Sequence, residues 1–128
     1  MTAPASTVRE YEVRARSTAT FGRVLCSARN HHFIVDGPVQ NGCPGEELTP
    51  PEIFLSGVAS CGVELIHVIA RDEKVPVESV VASIVGVVDR GRQPRPDVTL
   101  FTSVHLRFAI AGADGSQAAK LVEAFKRR

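Results

Sequence analysis

Of the three cysteines in this sequence, Cys61 has the setting that most invites chemistry. It falls in an almost wholly apolar run from Ile53 to Ala70. A thiol acts as a nucleophile through its thiolate, and a nearby cation is the usual means of lowering its pKa. The plainer role of a cysteine on an apolar helix is that of a small core residue. Glu64 and His67 form Glu-x-x-His, a pattern that holds two metals in carboxylate helix bundles. Such a site needs further carboxylates from other helices, and this chain reads mostly as strands, so no metal is expected. At helical spacing Cys61 and Glu64 share a face. A carboxylate so close would raise the thiol pKa and slow its reactions. Cys26 reads as a strand residue and Cys43 as a loop residue, and the three cysteines lack the paired spacing of a zinc site or a secreted disulfide framework. His31-His32 has no complementary ligand set and reads as a surface pair.

The elements that must position these residues follow from periodicity. Residues 1 to about 7 read as a flexible leader. Tyr11, Val13 and Ala15 alternate with charged residues, predicting a half-exposed strand over Val8–Arg16. Phe21-Gly22 marks a turn, and Val24–Ala28 and His32–Val35 read as two further strands joined near Asn30. The stretch from Val39 to Leu48 reads as loop. Thr49 is a natural N-cap, Pro50 and Pro51 are tolerated in a first turn, and Glu52 completes a Thr-x-x-Glu capping box. A helix through Arg71 follows, apolar enough to be buried on most of its faces. It is nearly long enough to span a bilayer, but Glu64 and His67 would be costly in lipid, so a membrane span is disfavoured. Val77–Asp89 and Val98–Ile110 read as a long hairpin around the polar turn Arg90–Asp97. Ser116 is expected to cap a last helix with Ala118, Leu121, Val122 and Phe125 on its apolar face. The fold class is α+β, one domain over residues 1–128. A helix apolar on nearly all sides is hard to cover in a chain of 128 residues, and an intertwined homodimer would cover it; a tightly wrapped monomer is the alternative.

Charge is almost balanced, with a formal net charge of +1. The densest basic cluster is Lys126-Arg127-Arg128, placed to complement a helix C-terminus. Nucleic-acid binding has little support. No cationic start followed by an apolar core opens the chain, so no secretory signal is visible, and a reducing cytosol is the expected compartment.

His32-Phe33-Ile34-Val35-Asp36-Gly37-Pro38, the glycine-containing loop, and Thr49-Pro50-Pro51-Glu52 leading to Ser60-Cys61 resemble the OsmC/Ohr superfamily. That pattern is a strand ending near Asp-x-Pro, a Gly-rich loop, Thr/Ser-Pro-x-Glu and a helix carrying a cysteine. The Glu-to-Cys spacing is closer to the broad OsmC-like branch than to the dedicated organic-hydroperoxide-resistance branch. The resemblance implies an OsmC-like fold, with antiparallel sheets wrapped around a long buried central helix in an intertwined homodimer. It also implies a thiol peroxidase that reduces organic hydroperoxides or hydrogen peroxide with a dithiol reductant and no cofactor. On the same ground Cys61 is the peroxidatic thiol and Glu52 orients a catalytic arginine, in competition with its capping role. Arg23 is the thiolate-stabilising arginine, with Arg14, Arg16 and Arg29 as rivals and an exposed strand position as its plainer reading. Active members carry a resolving cysteine after the last helix. This sequence ends there at Arg128, so either the given sequence is cut short or the protein lacks that thiol, with Cys43 as the candidate substitute. A catalytically weak relative that binds a small apolar or thiol-reactive ligand at the dimer interface is the alternative function.

Overall fold

The computed structural model describes residues 7–128, which fall into two compact units, one running through Glu52 and the other from Ile53 to Arg128. The predicted leader lies almost entirely outside the described residues. Within the described residues the architecture is α+β.

The first unit is an antiparallel meander of β1 (Arg14–Ser17), β2 (Arg23–Ala28) and β3 (His31–Asp36), in that spatial order. Its register pairs Arg14 with Ser27 and Ser27 with His32 at one end, and Arg23 with Asp36 at the other. The first strand was expected from Val8; it begins at Arg14, because β2 ends at Ala28 and the ladder can reach no further than that end. Gly22, at φ 77°, makes the turn into β2, a conformation that an L side chain adopts at a cost. The β2–β3 turn is carried by Arg29 and Asn30, with Arg29 itself at a positive φ of 55°. Beyond β3, the expected loop contains one short 3-10 turn, Val39–Asn41. Cys43 then packs its Sγ into a notch formed by Gly22 and Gly37. The Gly37 N–H donates to the Gly22 carbonyl at 2.8 Å and closes that notch. A side chain on either glycine would collide with the sulfur.

The long helix α1 (Pro50–Asp72) begins at the predicted cap and ends in a Schellman motif. Lys74 takes the left-handed position at φ 57°, the Val75 N–H reaches the Ala70 carbonyl at 2.8 Å, and the Lys74 N–H reaches Arg71 at 3.2 Å. In the second unit β4 (Ser79–Val87) pairs antiparallel with β5 (Ser103–Ala111), and α2 (Gly115–Phe125) follows. The second strand was expected from Val98. It starts five residues later because the Gln93 side chain occupies both backbone groups of Leu100, accepting from its N–H at 2.6 Å and donating to its carbonyl at 3.1 Å. The expected Ser116 cap is also corrected. Asp114 is the N-cap and forms a reciprocal capping box with Gln117, leaving Ser116 inside the helix.

The core of the second unit is Ile66, Ile69, Ala70 and Leu121, with Phe108, Ile110 and Phe125 packed against it. Gly62 allows the close approach of Phe108, whose Cζ lies 2.7 Å from where a Cβ would stand. Phe108 and Phe125 meet edge to face at 5.5 Å. Burial of α1 in the single chain is confined to one face, through Gly62, Ile66, Ile69 and Ala70. Near the start of the helix Phe54 is 59% exposed. By length and composition α1 could cross a bilayer.

Candidate functional site

Arg23 opens β2 directly opposite Asp36 at the end of β3, so the register alone aims both side chains to one face of the sheet. The pair is bidentate: Arg23 Nε donates to Asp36 Oδ1 at 2.8 Å, and Nη2 donates to Oδ2 at 2.9 Å. Asp36 is fully buried, and its Oδ2 also accepts the backbone N–H groups of Glu46 and Glu47, each at 3.0 Å. Four donors thus replace the water that a buried carboxylate has lost. The Arg23 hydrogen bonds, followed in effect by the two backbone N–H groups against the opposing cost of burial, hold the Asp36 carboxyl well below the usual carboxylate range. Arg23 is correspondingly fixed as a cation, chiefly by its hydrogen bond to Asp36. Glu46 adds a longer contact at 3.5 Å. The expectation of an exposed strand arginine is therefore replaced by a half-buried, anchored one. Its Nη1 carries no hydrogen bond among the described residues.

Glu52 makes one half of the expected capping box. Its Oε1 accepts from the Thr49 N–H at 3.0 Å and from the Thr49 hydroxyl at 2.7 Å. These bonds, the backbone one first, lower its pKa. The box is one-sided, because the Thr49 hydroxyl donates to the carboxylate. The carboxylates on Arg23 are thus Asp36 and Glu46, while Glu52 is engaged by Thr49.

Cys61 lies near the middle of α1 as an exposed free thiol. It is preceded by Ser60, whose hydroxyl is turned back onto the Gly57 carbonyl at 3.1 Å, and followed by the buried Gly62. Glu64 and His67 are exposed on the following turns. Cys43 and Cys26 are half-buried free thiols. Cys43 makes a long contact of 3.9 Å to the Asn41 carbonyl, and Cys26 is paired across the sheet with Ala15 and Phe33. Among the described residues no group of three or more His, Cys, Asp or Glu side chains could hold a metal ion.

The sequence places Asp36 in the strand-end motif without showing its role. Its signal was an acid directly after the apolar Ile34-Val35 at a strand end, where a carboxylate in line with a core strand demands a cation.

Residues 43–128 match the model of the OsmC-like protein family. No curated protein sequence matches the chain. Among solved structures, the OsmC-like protein of Mycoplasma pneumoniae is 14% identical, with a TM-score of 0.78 over 94% of this chain and 82% of that one. An OsmC-like protein of unknown function from Vibrio cholerae is 15% identical, with a TM-score of 0.79 over 94% and 89%. An organic hydroperoxide resistance protein from Elizabethkingia anophelis is 15% identical, with a TM-score of 0.76 over 96% and 85%. At these identities the likeness is one of fold. With the family match extending over residues 43–128, the whole of α1 and everything after it included, the chain belongs to the OsmC-like protein family.

Proposed function

We propose that this protein is a cytosolic OsmC-like thiol peroxidase that reduces organic hydroperoxides or hydrogen peroxide. The observation that carries this reading is the exposed, unpaired Cys61 on the central helix of an OsmC-like chain. The Cys61 thiolate attacks the distal oxygen of the hydroperoxide. The O–O bond breaks, the alkoxide leaves and takes up a proton as alcohol (or water), and the sulfur becomes a sulfenic acid. A thiol then displaces hydroxide from that sulfur, giving a disulfide and water. A dithiol reductant exchanges with the disulfide and restores the thiol. Cys43 is the candidate second thiol in this chain, with an external thiol as the other source.

The cation that favours the thiolate is assigned to Arg23. Asp36 holds its charge, which is what a thiolate-stabilising group requires. Glu52 is assigned to orienting that arginine, for which its carboxylate exchanges the Thr49 contacts for Arg23 during turnover. The protein acts as a homodimer in which a second copy covers the uncovered faces of α1. The exposure of Phe54, Val81 and Val85 supports that assembly.

Purified protein should consume a hydroperoxide with a dithiol reductant, and Cys61→Ser should bring turnover to background. Unchanged turnover in that variant would sink the proposal. A second reading, a catalytically weak ligand-binding relative, is favoured by one observation: Glu64 shares the exposed side of α1 with Cys61. A Cys61 thiol that titrates normally and reacts slowly with peroxide selects this second reading.

A further inference from the structure

We propose that one end of the β1–β2–β3 sheet face binds a small phosphate-bearing anion. The register sets Arg14, Ser27 and His32 in a single row across the three strands, at the spacing of adjacent strands, about 4.8 Å. Arg16 lies on the same face one step along β1, and Arg29 sits at the adjoining β2–β3 turn. These five residues line an open concavity of about 960 Å³, with Leu25 contributing apolar floor. The row is about 13 Å along β2 from Arg23.

The charges do not cancel within the protein. Arg14 Nε donates to Glu12 at 2.9 Å, and Glu12 also lines the concavity. Arg16 and Arg29 have no ion pair among the described residues. Three guanidinium groups against one carboxylate leave two positive charges on one small face. A single carboxylate ligand would neutralise half of that excess. A phosphate group, which carries about −1.5 to −2 near neutral pH, matches it and offers acceptors in several directions. Ser27 Oγ and His32 Nδ1 are 2.7 Å apart, and with Ser27 donating to Nδ1 the imidazole Nε2–H is a further donor for the same ligand.

Arg29 adds an independent argument. It holds a positive φ at a two-residue hairpin turn, where glycine or asparagine would be unstrained. An arginine kept there at a conformational cost fits a residue retained for its guanidinium. Replacing it therefore separates fold from binding: Arg29→Gly relieves the backbone and removes the charge together.

Titration of the whole protein with inorganic pyrophosphate at low ionic strength, followed by calorimetry, tests the proposal. Saturable binding of one anion per chain is expected, weakening as sodium chloride is raised and unaffected by acetate at matched ionic strength. Arg29→Gly and Arg16→Gln should each weaken it roughly tenfold. Arg29→Gly should also leave the melting temperature unchanged or raised. Absence of saturable binding at millimolar pyrophosphate would overturn the proposal. So would equal competition by acetate, wild-type affinity in both variants, or a lowered melting temperature for Arg29→Gly.

Discussion

In the first unit the side chain most completely removed from solvent is the carboxylate of Asp36, held by a bidentate arginine and two backbone N–H groups. In the second unit the fully buried side chains are Ile66, Ile69 and Leu121, and the packing around them is hydrocarbon and aromatic edge. The two solutions have different sensitivities. A hydrocarbon core loses energy in proportion to the volume removed from it. A buried ion pair contributes little beyond an apolar substitute while intact, yet costs heavily when one partner is taken away. The same contrast divides two of the proposed site residues. Arg23 is fixed by its surroundings, whereas Cys61 stands exposed on a helix whose buried face lies beside it.

The largest loss is expected at the ion pair. Asp36→Ala leaves Arg23 and two backbone donors unpaired and should destabilise the protein by about 4 kcal/mol, read from urea denaturation. The pH dependence follows with its sign. The folded carboxyl has a pKa below that of the unfolded chain, so its contribution is present above the unfolded value and is lost as pH falls through the folded one. That folded value lies well under the usual carboxylate range, so the loss comes late in an acid titration. Asp36→Asn should remove this late component from the acid-denaturation profile. A profile unchanged by the substitution would show that the ion pair is not what holds the first unit.

Next in size is the hydrocarbon side of the comparison. Ile66→Ala should cost about 3 kcal/mol with no change in the acid limb. Gly62→Ala tests the close aromatic approach. The added Cβ meets Phe108, and the overpacking should exceed the gain in helix propensity, for a net loss of about 1 to 2 kcal/mol. A stabilised Gly62→Ala protein would mean that Phe108 moves aside freely. Smallest is the cap: Asp114→Ala should cost about 1 kcal/mol, while Ser116→Ala at the neighbouring position should stay within about half that amount.

Much of the fold was legible in the sequence because its signals are local. The turn residues at Phe21-Gly22, Asn30 and Asp36-Gly37-Pro38 bracketed β2 and β3, the Thr49-Pro50-Pro51-Glu52 start located α1, and the order of elements gave the α+β class. The same capping logic failed by two residues at α2, where Asp114 and Gln117 form a better reciprocal box than Ser116 could. The start of β5 was missed because Gln93, seven residues away, holds Leu100 out of the ladder. Cys61 and Glu52 were legible as candidates from a motif contiguous in the chain. Asp36 was not, because its partner lies thirteen residues away on a neighbouring strand and becomes opposite only through register. The exposure of most of α1 was illegible for another reason, since apolar periodicity reports that a face must be covered without saying which chain covers it.

The central claim is that the thiol on α1 reacts with peroxide. It is tested most directly by mixing reduced protein with one equivalent of an organic hydroperoxide and trapping the product with a sulfenic-acid reagent for peptide mass analysis. Rapid adduct formation is expected on the peptide containing Cys61, with Cys26 and Cys43 free of adduct at the earliest times. A slow reaction, or an adduct appearing first on either of the other two cysteines, would contradict it.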